Sequence, residues 1–181
     1  YTVTGWYDNT TKVGTANEKY QVTKDVTLTA QTNINSYAVT YDYATNGGSS
    51  ATKTSATVNY NSTIDLSVTA TKDGWTFVGW NTDKDATTAT YKDKATFTYV
   101  KADDMTLYAI WSVNSYTLTL DANDANYQGS ATLISGKSKT QILKYTDKAD
   151  LTSIYTRTGY TFAGWANSAD AKTSDYLATA T

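Results

Sequence analysis

The stretch that decides the fold is Gly74-Trp-Thr-Phe-Val-Gly-Trp80, because the chain carries it again as Gly159-Tyr-Thr-Phe-Ala-Gly-Trp165. A third version, Tyr1-Thr-Val-Thr-Gly-Trp6, opens the chain. A single aromatic–glycine motif of this kind could belong to an active-site loop. Three copies at domain-scale spacing indicate a structural unit that is stacked or strung along the chain.

Other segments repeat with the same long spacing. Asp25-Val-Thr-Leu-Thr-Ala30 matches Asp104-Met-Thr-Leu-Tyr-Ala109, and Asn35-Ser-Tyr matches Asn114-Ser-Tyr; both pairs lie 79 residues apart. The glycine–tryptophan copies are less evenly spaced, which we attribute to loops of different length. The matches divide the chain into the C-terminal part of a first repeat (1–34), a complete central repeat (35–114) and a third repeat lacking its last strand (115–181). We expect such a chain to be part of a longer protein.

The hydrophobic pattern between the motifs is that of strands. In Tyr37-Ala-Val-Thr-Tyr-Asp-Tyr43, aromatic or branched residues alternate with small or polar ones, which places one face on a core. Asn46-Gly47-Gly48 can supply the positive φ angles of a tight turn. The Ala-rich segments 83–94 and 167–179 could each hold a short helix, although their threonines disfavour one. We therefore predict a mainly β fold with little helix.

The central repeat contains five motifs in a fixed order, which are Ser36-Tyr-Ala-Val-Thr-Tyr-Asp42, Asn46-Gly47-Gly48, Val58-Asn-Tyr-Asn-Ser-Thr-Ile64, Thr71-Lys-Asp-Gly-Trp-Thr-Phe-Val-Gly-Trp80 and Met105-Thr-Leu-Tyr-Ala-Ile-Trp111. With the motifs in this order, the chain resembles the Listeria–Bacteroides repeat, also called the internalin B-repeat. The resemblance implies small β-grasp-like domains in tandem within large surface proteins of bacteria, and it supplies no catalytic residues. The chain departs from the family in having no proline before the glycine–aromatic motif.

The amino-acid composition argues against several classes of function. The 181 residues carry a net charge of −2 and include neither cysteine nor histidine. The weak charge argues against nucleic acid or an anionic membrane as a partner. Without Cys and His, thiol metal sites and the usual general base are missing. No apolar run approaches the roughly 20 residues of a transmembrane helix. We therefore expect no enzymatic activity, no cofactor and no membrane insertion in this segment.

The tryptophans that end the motif are expected to be core residues. Each follows a glycine, whose missing side chain lets a neighbour approach closely. The expected core of the repeats comprises Trp6, Trp80, Trp165, Gly5, Gly79, Gly164, Phe77, Phe162, Leu107 and Trp111. The alternative is that the tryptophans form flat platforms on which sugars stack. Tyr108 aligns with the polar Thr29 and is expected to be an exposed contact residue.

The acidic clusters suggest three other kinds of chemistry. Carboxylates at 83–85, 103–104 and 121–124 could bind calcium, but none has the spacing of a known calcium loop. Asp and Asn more often lie in turns, where they bond their own backbone. No acidic pair recurs within a motif, as the acid and base of a hydrolase would. A Lys–Asn isopeptide crosslink stays open, although the scarcity of glutamate counts against it.

The functions left open are structural or adhesive. In the first hypothesis the repeats are an extracellular spacer at the bacterial cell surface, with neighbouring repeats of the same parent protein as partners. The spacer would hold an adhesive or catalytic region away from the wall. In the second, exposed aromatic side chains bind a glycan or a host surface protein directly.

The incomplete end repeats leave three possibilities open. Their missing strands may be present in the parent protein, the end pieces may stand as smaller sheets, or two copies may complete each other into a head-to-tail fibre. We favour missing strands that the parent supplies, because strand complementation demands a register that the extra glycine–tryptophan strand would obstruct.

Overall fold

The structure is a computed structural model that describes residues 1–177, and its secondary structure is mainly β, as the alternating pattern predicts. The chain forms two compact units, Tyr1–Ser112 and Val113–Thr181. The strands of the first unit are β1 (Thr2–Asp8), β2 (Thr11–Gly14), β3 (Thr29–Asn33), β4 (Ser36–Asp42), β5 (Ser50–Ala51), β6 (Ser55–Asn59), β7 (Thr63–Asp65), β8 (Ala70–Thr71), β9 (Trp75–Asn81), β10 (Tyr91–Lys92), β11 (Thr96–Thr98) and β12 (Met105–Val113).

A five-stranded sheet organises the central repeat, with the strands in the order β10-β9-β12-β4-β6. Its first and last long strands, β4 and β12, lie side by side and run parallel, with Met105 opposite Val39 and Leu107 opposite Tyr41. β6 pairs antiparallel with β4, and β10 pairs antiparallel with β9. Two small pairs, β5 with β8 and β7 with β11, accompany the sheet. The parallel pairing of the terminal strands is compatible with a β-grasp, which stays a prediction.

The core of this repeat also draws on the segment that leads to the glycine–aromatic motif. Ile64, Leu66, Val68 and Ala70 are all buried, and the residues between them are exposed. This strict alternation turns one side of an extended segment toward the sheet. The segment therefore contributes four apolar side chains to the core without the proline that is usual in the resembled family.

Residues 1–34 form a smaller sheet in the order β2-β1-β3. Two contacts join it to the central repeat: Thr2 Oγ1 donates to Asn35 Oδ1 at 2.7 Å, and the Tyr1 and Tyr60 rings meet edge-on at 6.5 Å. All five residues of β3 are exposed. The sheet therefore has no closed core of its own.

The second unit repeats the central pattern with shorter strands. They are β13 (Ser115–Thr119), β14 (Thr132–Leu133), β15 (Thr140–Lys144), β16 (Tyr155–Thr156), β17 (Gly164–Trp165) and β18 (Tyr176–Leu177). They pair antiparallel as β13 with β15, β14 with β16 and β17 with β18. These pairs correspond in sequence to β4 with β6, β5 with β8 and β9 with β10. A 3-10 helix, Asp124–Asn126, follows β13.

The short helices considered for 83–94 and 167–179 are not present in the described residues, so that expectation was wrong. In the first segment, polar side chains hold turns instead. The Asn81 side chain accepts from the Asp83 amide at 2.9 Å, and Asp83 accepts from the Asp85 amide at 3.0 Å. Such side-chain bonds compete with helical backbone bonds. Residues 178 and 179 lie outside the described part of the chain. Within residues 1–177, no helix has the length and apolar character needed to cross a membrane.

Candidate functional site

The repeated motif places its tryptophan inside the central repeat. Trp80, in β9, is 0% exposed. Its ring lies 5.3 Å from that of Tyr41 on β4 and 5.0 Å from that of Phe77 on its own strand. Phe77, which is half-buried, continues the aromatic cluster to Trp111 at 5.5 Å. An enclosed ring with these contacts is unavailable as a platform for a sugar.

Gly79 is required next to this tryptophan for two reasons. Its φ of +145° belongs to a region that L side chains rarely adopt. A Cβ at this position would also overlap the carbonyl oxygen of Tyr91 and come within 2.9 Å of the Lys92 Cα. Gly79 therefore lets β10 pair closely with β9, which helps to cover Trp80.

The third copy builds a looser version of the same cluster. Trp165 is half-buried, packs edge-on against Phe162 at 4.9 Å, and donates from Nε1 to the Leu151 carbonyl at 2.9 Å. Gly164 has a φ of +143°, and a Cβ there would overlap the carbonyl oxygen of Tyr176. The glycine thus has the same role in both copies, while the tryptophan remains partly open.

The first copy differs, and the expectation of a core tryptophan was wrong for Trp6, which is 38% exposed. Residues 1–34 hold the equivalents of β9, β10 and β12 but none of β4, whose Tyr41 covers Trp80. Trp6 instead lines an open hollow of about 280 Å³ together with Leu28 and Tyr20. Gly5 itself is buried, and a Cβ there would come within 2.8 Å of the Gly14 carbonyl oxygen.

The last strand of the central repeat is covered on both faces. Leu107 is 0% exposed, and Trp111 is half-buried against Phe77. On the opposite face Ile110 is buried and Tyr108 is half-buried, so Tyr108 is not the exposed contact residue that we expected. The reason is the position of β12 between β9 and β4, in the middle of the sheet.

A lysine that the sequence reasoning passed over holds the Asn-Gly-Gly turn in place. Lys72 Nζ donates to the Asn46 carbonyl at 2.9 Å and lies 4.2 Å from the centre of the Trp75 ring. Asn46 in turn donates from Nδ2 to the Ala109 carbonyl of β12 at 2.9 Å. Gly47 has a φ of +77°, as the turn prediction requires. The ammonium group therefore connects this turn to the glycine–aromatic motif.

Arg157 occupies the equivalent position in the third copy. Its guanidinium donates to the Ala122 carbonyl at 2.9 Å and to the Gly129 carbonyl, and it forms an ion pair with Asp124. It also lies 5.5 Å from the Tyr127 ring. A signal existed in the sequence, because both copies place a basic residue two positions before the glycine–aromatic pair: Lys72-Asp-Gly-Trp and Arg157-Thr-Gly-Tyr.

Carboxylates of the acidic clusters bond to backbone amides in turns or at the start of a strand. Asp121 accepts from the Asn123 amide at 2.7 Å, and Asp104 accepts from the Ala38 amide at 2.8 Å. The pKa of Asp124 lies below its ordinary value, chiefly because it accepts from the Ala131 amide and further because the Arg157 charge is adjacent. In residues 1–177 no three acidic side chains converge as a metal site would require.

Two exposed aromatic rings that could contact a partner lie side by side in the third copy. Tyr127 and Tyr160 of the third copy are 47% and 48% exposed, and their rings meet edge-on at 5.6 Å. Arg157 lies within 6 Å of both rings, at 5.5 and 5.9 Å. Tyr127 lies outside the repeated motifs, because the third copy has the longer stretch Asn123-Asp-Ala-Asn-Tyr-Gln-Gly129 where the central repeat has Asn46-Gly47-Gly48.

Comparison with known proteins identifies the repeats. The profile of the Listeria-Bacteroides repeat domain matches residues 37–110 and again residues 116–181. The chain is similar to a putative membrane protein of Evansella cellulosilytica, at 35% identity over 164 residues that make up 89% of this chain and 22% of that protein. It is similar to Internalin H of Listeria monocytogenes, at 40% identity over 67% of this chain and 19% of that protein.

A putative Gly-rich membrane protein of Evansella cellulosilytica is 36% identical over 101 residues, which are 55% of this chain and 12% of that protein. The chain thus spans less than a quarter of each of these curated relatives. No solved structure matches it.

Proposed function

The chain belongs to the Listeria–Bacteroides repeat family, and on that basis we propose that it is an extracellular spacer in a large bacterial cell-surface protein. The repeats hold an adhesive or catalytic region away from the cell wall, and their partners are neighbouring repeats of the same parent protein. Similarity to Internalin H and to two proteins named as membrane proteins supports the surface setting.

One observation carries the spacer role: in the central repeat, the recurring glycine and tryptophan are used to build the domain. Trp80 is enclosed, and Gly79 is needed for the strand that covers it. A binding site conserved among repeats would instead present the recurring aromatic to solvent. A series of small domains in tandem gains length with few contacts between its members.

The spacer role can be tested by surface display. The 181-residue chain is inserted in zero, one or two copies between a membrane-anchored protein and a terminal epitope tag on a bacterial surface. We expect the height of the tag above the membrane, measured by super-resolution microscopy, to rise with each copy. Equal heights for all three proteins would contradict the proposal.

The alternative is direct adhesion, and the exposed Tyr127–Tyr160 pair favours it, because two half-exposed rings beside a cation can stack on a sugar or a peptide. A glycan array and a panel of host surface proteins, probed with the whole chain, separate the two functions. Binding that disappears in Tyr160→Ala but persists in Tyr176→Ala, another exposed tyrosine, would favour adhesion. The absence of binding in the unmodified chain would favour the spacer.

A further inference from the structure

The central repeat is connected to the rest of the chain through two strands that lie side by side. Its first strand, β4, begins directly after residue 35, and its last strand, β12, is followed almost at once by β13. The two strands run parallel, from Val39 opposite Met105 to Asp42 opposite Tyr108. A pull along the chain therefore enters the repeat at the N-terminal end of β4 and leaves it at the C-terminal end of β12.

This arrangement loads the contact between the two strands in shear. When parallel strands are pulled, one by its N-terminal end and the other by its C-terminal end, they are forced to slide along each other. The hydrogen bonds of the ladder then carry the force together, because they are spaced evenly along both strands. A pull on the two C-terminal ends would instead break these bonds one after another. The parallel pairing therefore resists a pull along the chain better than a pull that separates the strands from one end.

Both loaded strands lie inside the sheet. β12 is hydrogen-bonded to β9 as well as to β4, and β4 is hydrogen-bonded to β6 on its other side. Along the shared ladder, Val39 and Leu107 are 0% exposed and Tyr41 is 2% exposed. These side chains keep water away from the neighbouring backbone hydrogen bonds, which are electrostatically stronger in a low local dielectric. Neither strand can slide without disturbing the core.

Two side-chain hydrogen bonds connect the same strands at the ends of their pairing. Asp104, just before β12, accepts from the Ala38 amide of β4 at 2.8 Å. Asn46, in the turn after β4, donates from Nδ2 to the Ala109 carbonyl of β12 at 2.9 Å. One bond lies at each end of the ladder, so sliding of the strands stretches both.

We propose that the central repeat bears tensile load, and that the parallel pair of β4 and β12 is a mechanical clamp against unfolding when the chain is pulled from both sides. The load is a pull on the parent protein between the cell wall and the region that the repeats hold away from it. This role rests on the spacer function proposed above and goes beyond it, because a spacer that only adds length needs no particular strand geometry. Resistance to forced unfolding is governed by the unfolding rate.

The test pulls single molecules of the 181-residue chain in two directions with an optical trap. The chain has no cysteine, so pairs of introduced cysteines attach the handles at chosen exposed positions. Asn33→Cys with Ser115→Cys loads the clamp in shear, whereas Ala44→Cys with Ser115→Cys peels the strands apart from their C-terminal ends. We expect a several-fold higher unfolding force for the shear pair at the same pulling speed. Each released residue lengthens the tether by about 3.5 Å, which identifies the repeat that unfolds.

Two neighbouring aspartates provide matched variants. Asp104→Ala removes the bond to the Ala38 amide and should lower the unfolding force in shear, whereas Asp103→Ala, at an exposed position, should leave it unchanged. In the peeling direction Asp104→Ala should have little effect, because its bond lies at the end of the ladder that separates last. Equal unfolding forces in the two directions, or an equal loss of force in both for Asp104→Ala, would overturn the proposal. Neither result would alter the tag heights expected of a spacer, so the two proposals can fail separately.

Discussion

At the scale of single residues, the same tryptophan has three environments, set by how many strands surround it. Trp80 has neighbours on all sides, Trp165 is half-buried, and Trp6 borders an open hollow. The sequence predicted an inward tryptophan in each copy, because the motif Gly-Trp is the same. It could not predict the differences, since the covering side chains come from strands remote in sequence, such as Tyr41 of β4.

Removing the tryptophan ring should therefore strongly lower the free energy of unfolding only in the central repeat, where the ring is enclosed. We expect Trp80→Ala to lower the free energy of unfolding by about 3–5 kcal/mol, the range for removing a large aromatic side chain from a core. Trp6→Ala, at a 38% exposed position, serves as the control and should have a much smaller effect. Chemical denaturation followed by circular dichroism measures both, and equal effects would contradict this account.

Asp124 makes the second unit sensitive to acid. Its folded-state pKa lies below the ordinary value of about 3.9, so the ionised carboxylate stabilises the fold above that pH. This contribution is lost as the pH falls through the folded-state pKa. Asp124→Asn keeps an acceptor for the Ala131 amide, so we expect its loop to change less between pH 4 and pH 2. The Ala131 and Gly129 amide signals report the change, and an identical titration of both proteins would argue against the role of Asp124.

At the scale of elements, strands were predictable and the turns between them were not. The alternation in Tyr37–Tyr43 and the repeat of Gly74–Trp80 each mark a strand, observed as β4 and β9. The segment 83–94 looked compatible with helix by composition, yet Asn81 and Asp83 bond backbone amides and fix turns. Composition gives the propensity of a segment, whereas the hydrogen-bond partner of each polar side chain depends on its geometry.

The basic residue before the motif is the element-scale feature that pattern reading missed. Lys72→Met removes the ammonium group and keeps most of the apolar stem, so the bond to Asn46 and the contact with the Trp75 ring are lost. We expect a loss of stability of about 1 kcal/mol, typical of one hydrogen bond or one cation–π contact. Faster hydrogen exchange at the Gly48 amide should accompany it.

Two further variants test whether the contacts of Lys72 with Asn46 and Trp75 are specific. Lys72→Arg, which introduces the residue found in the third copy, should retain most of the stability. Lys53→Met alters an exposed lysine and should leave exchange at Gly48 unchanged. A Lys53 variant as destabilised as the Lys72 variant would show that charge alone, and no specific contact, is responsible.

At the scale of the whole molecule, the repeat boundaries stay a prediction. The core of the central repeat draws on residues from Tyr37 to Trp111, and residues 1–34 touch it through Thr2 and Tyr1. Because the core lies wholly inside the predicted repeat, a fragment of residues 35–114 should unfold cooperatively on its own. Thermal and urea unfolding by two spectroscopic probes tests this, and transitions that fail to coincide or are not sigmoidal would show that the first 34 residues are needed.

Among the strand edges of residues 1–177, those of β3 and β13 are the two that would have to pair if copies linked head to tail into a fibre. The pattern of β12 recurs at β3, since Asp25-Val-Thr-Leu matches Asp104-Met-Thr-Leu. However, β3 is already hydrogen-bonded to β1, which corresponds to β9. If β3 of one copy paired with β13 of another, its β1 would compete for the place that β17 holds.

That competition disfavours pairing between two copies of the chain. We therefore expect the purified chain to remain a monodisperse monomer of 19.7 kDa across a concentration series, measured by light scattering. Polymers of mixed length in the chain alone would show that β17 and β18 are displaced at little cost, and that the chain assembles head to tail.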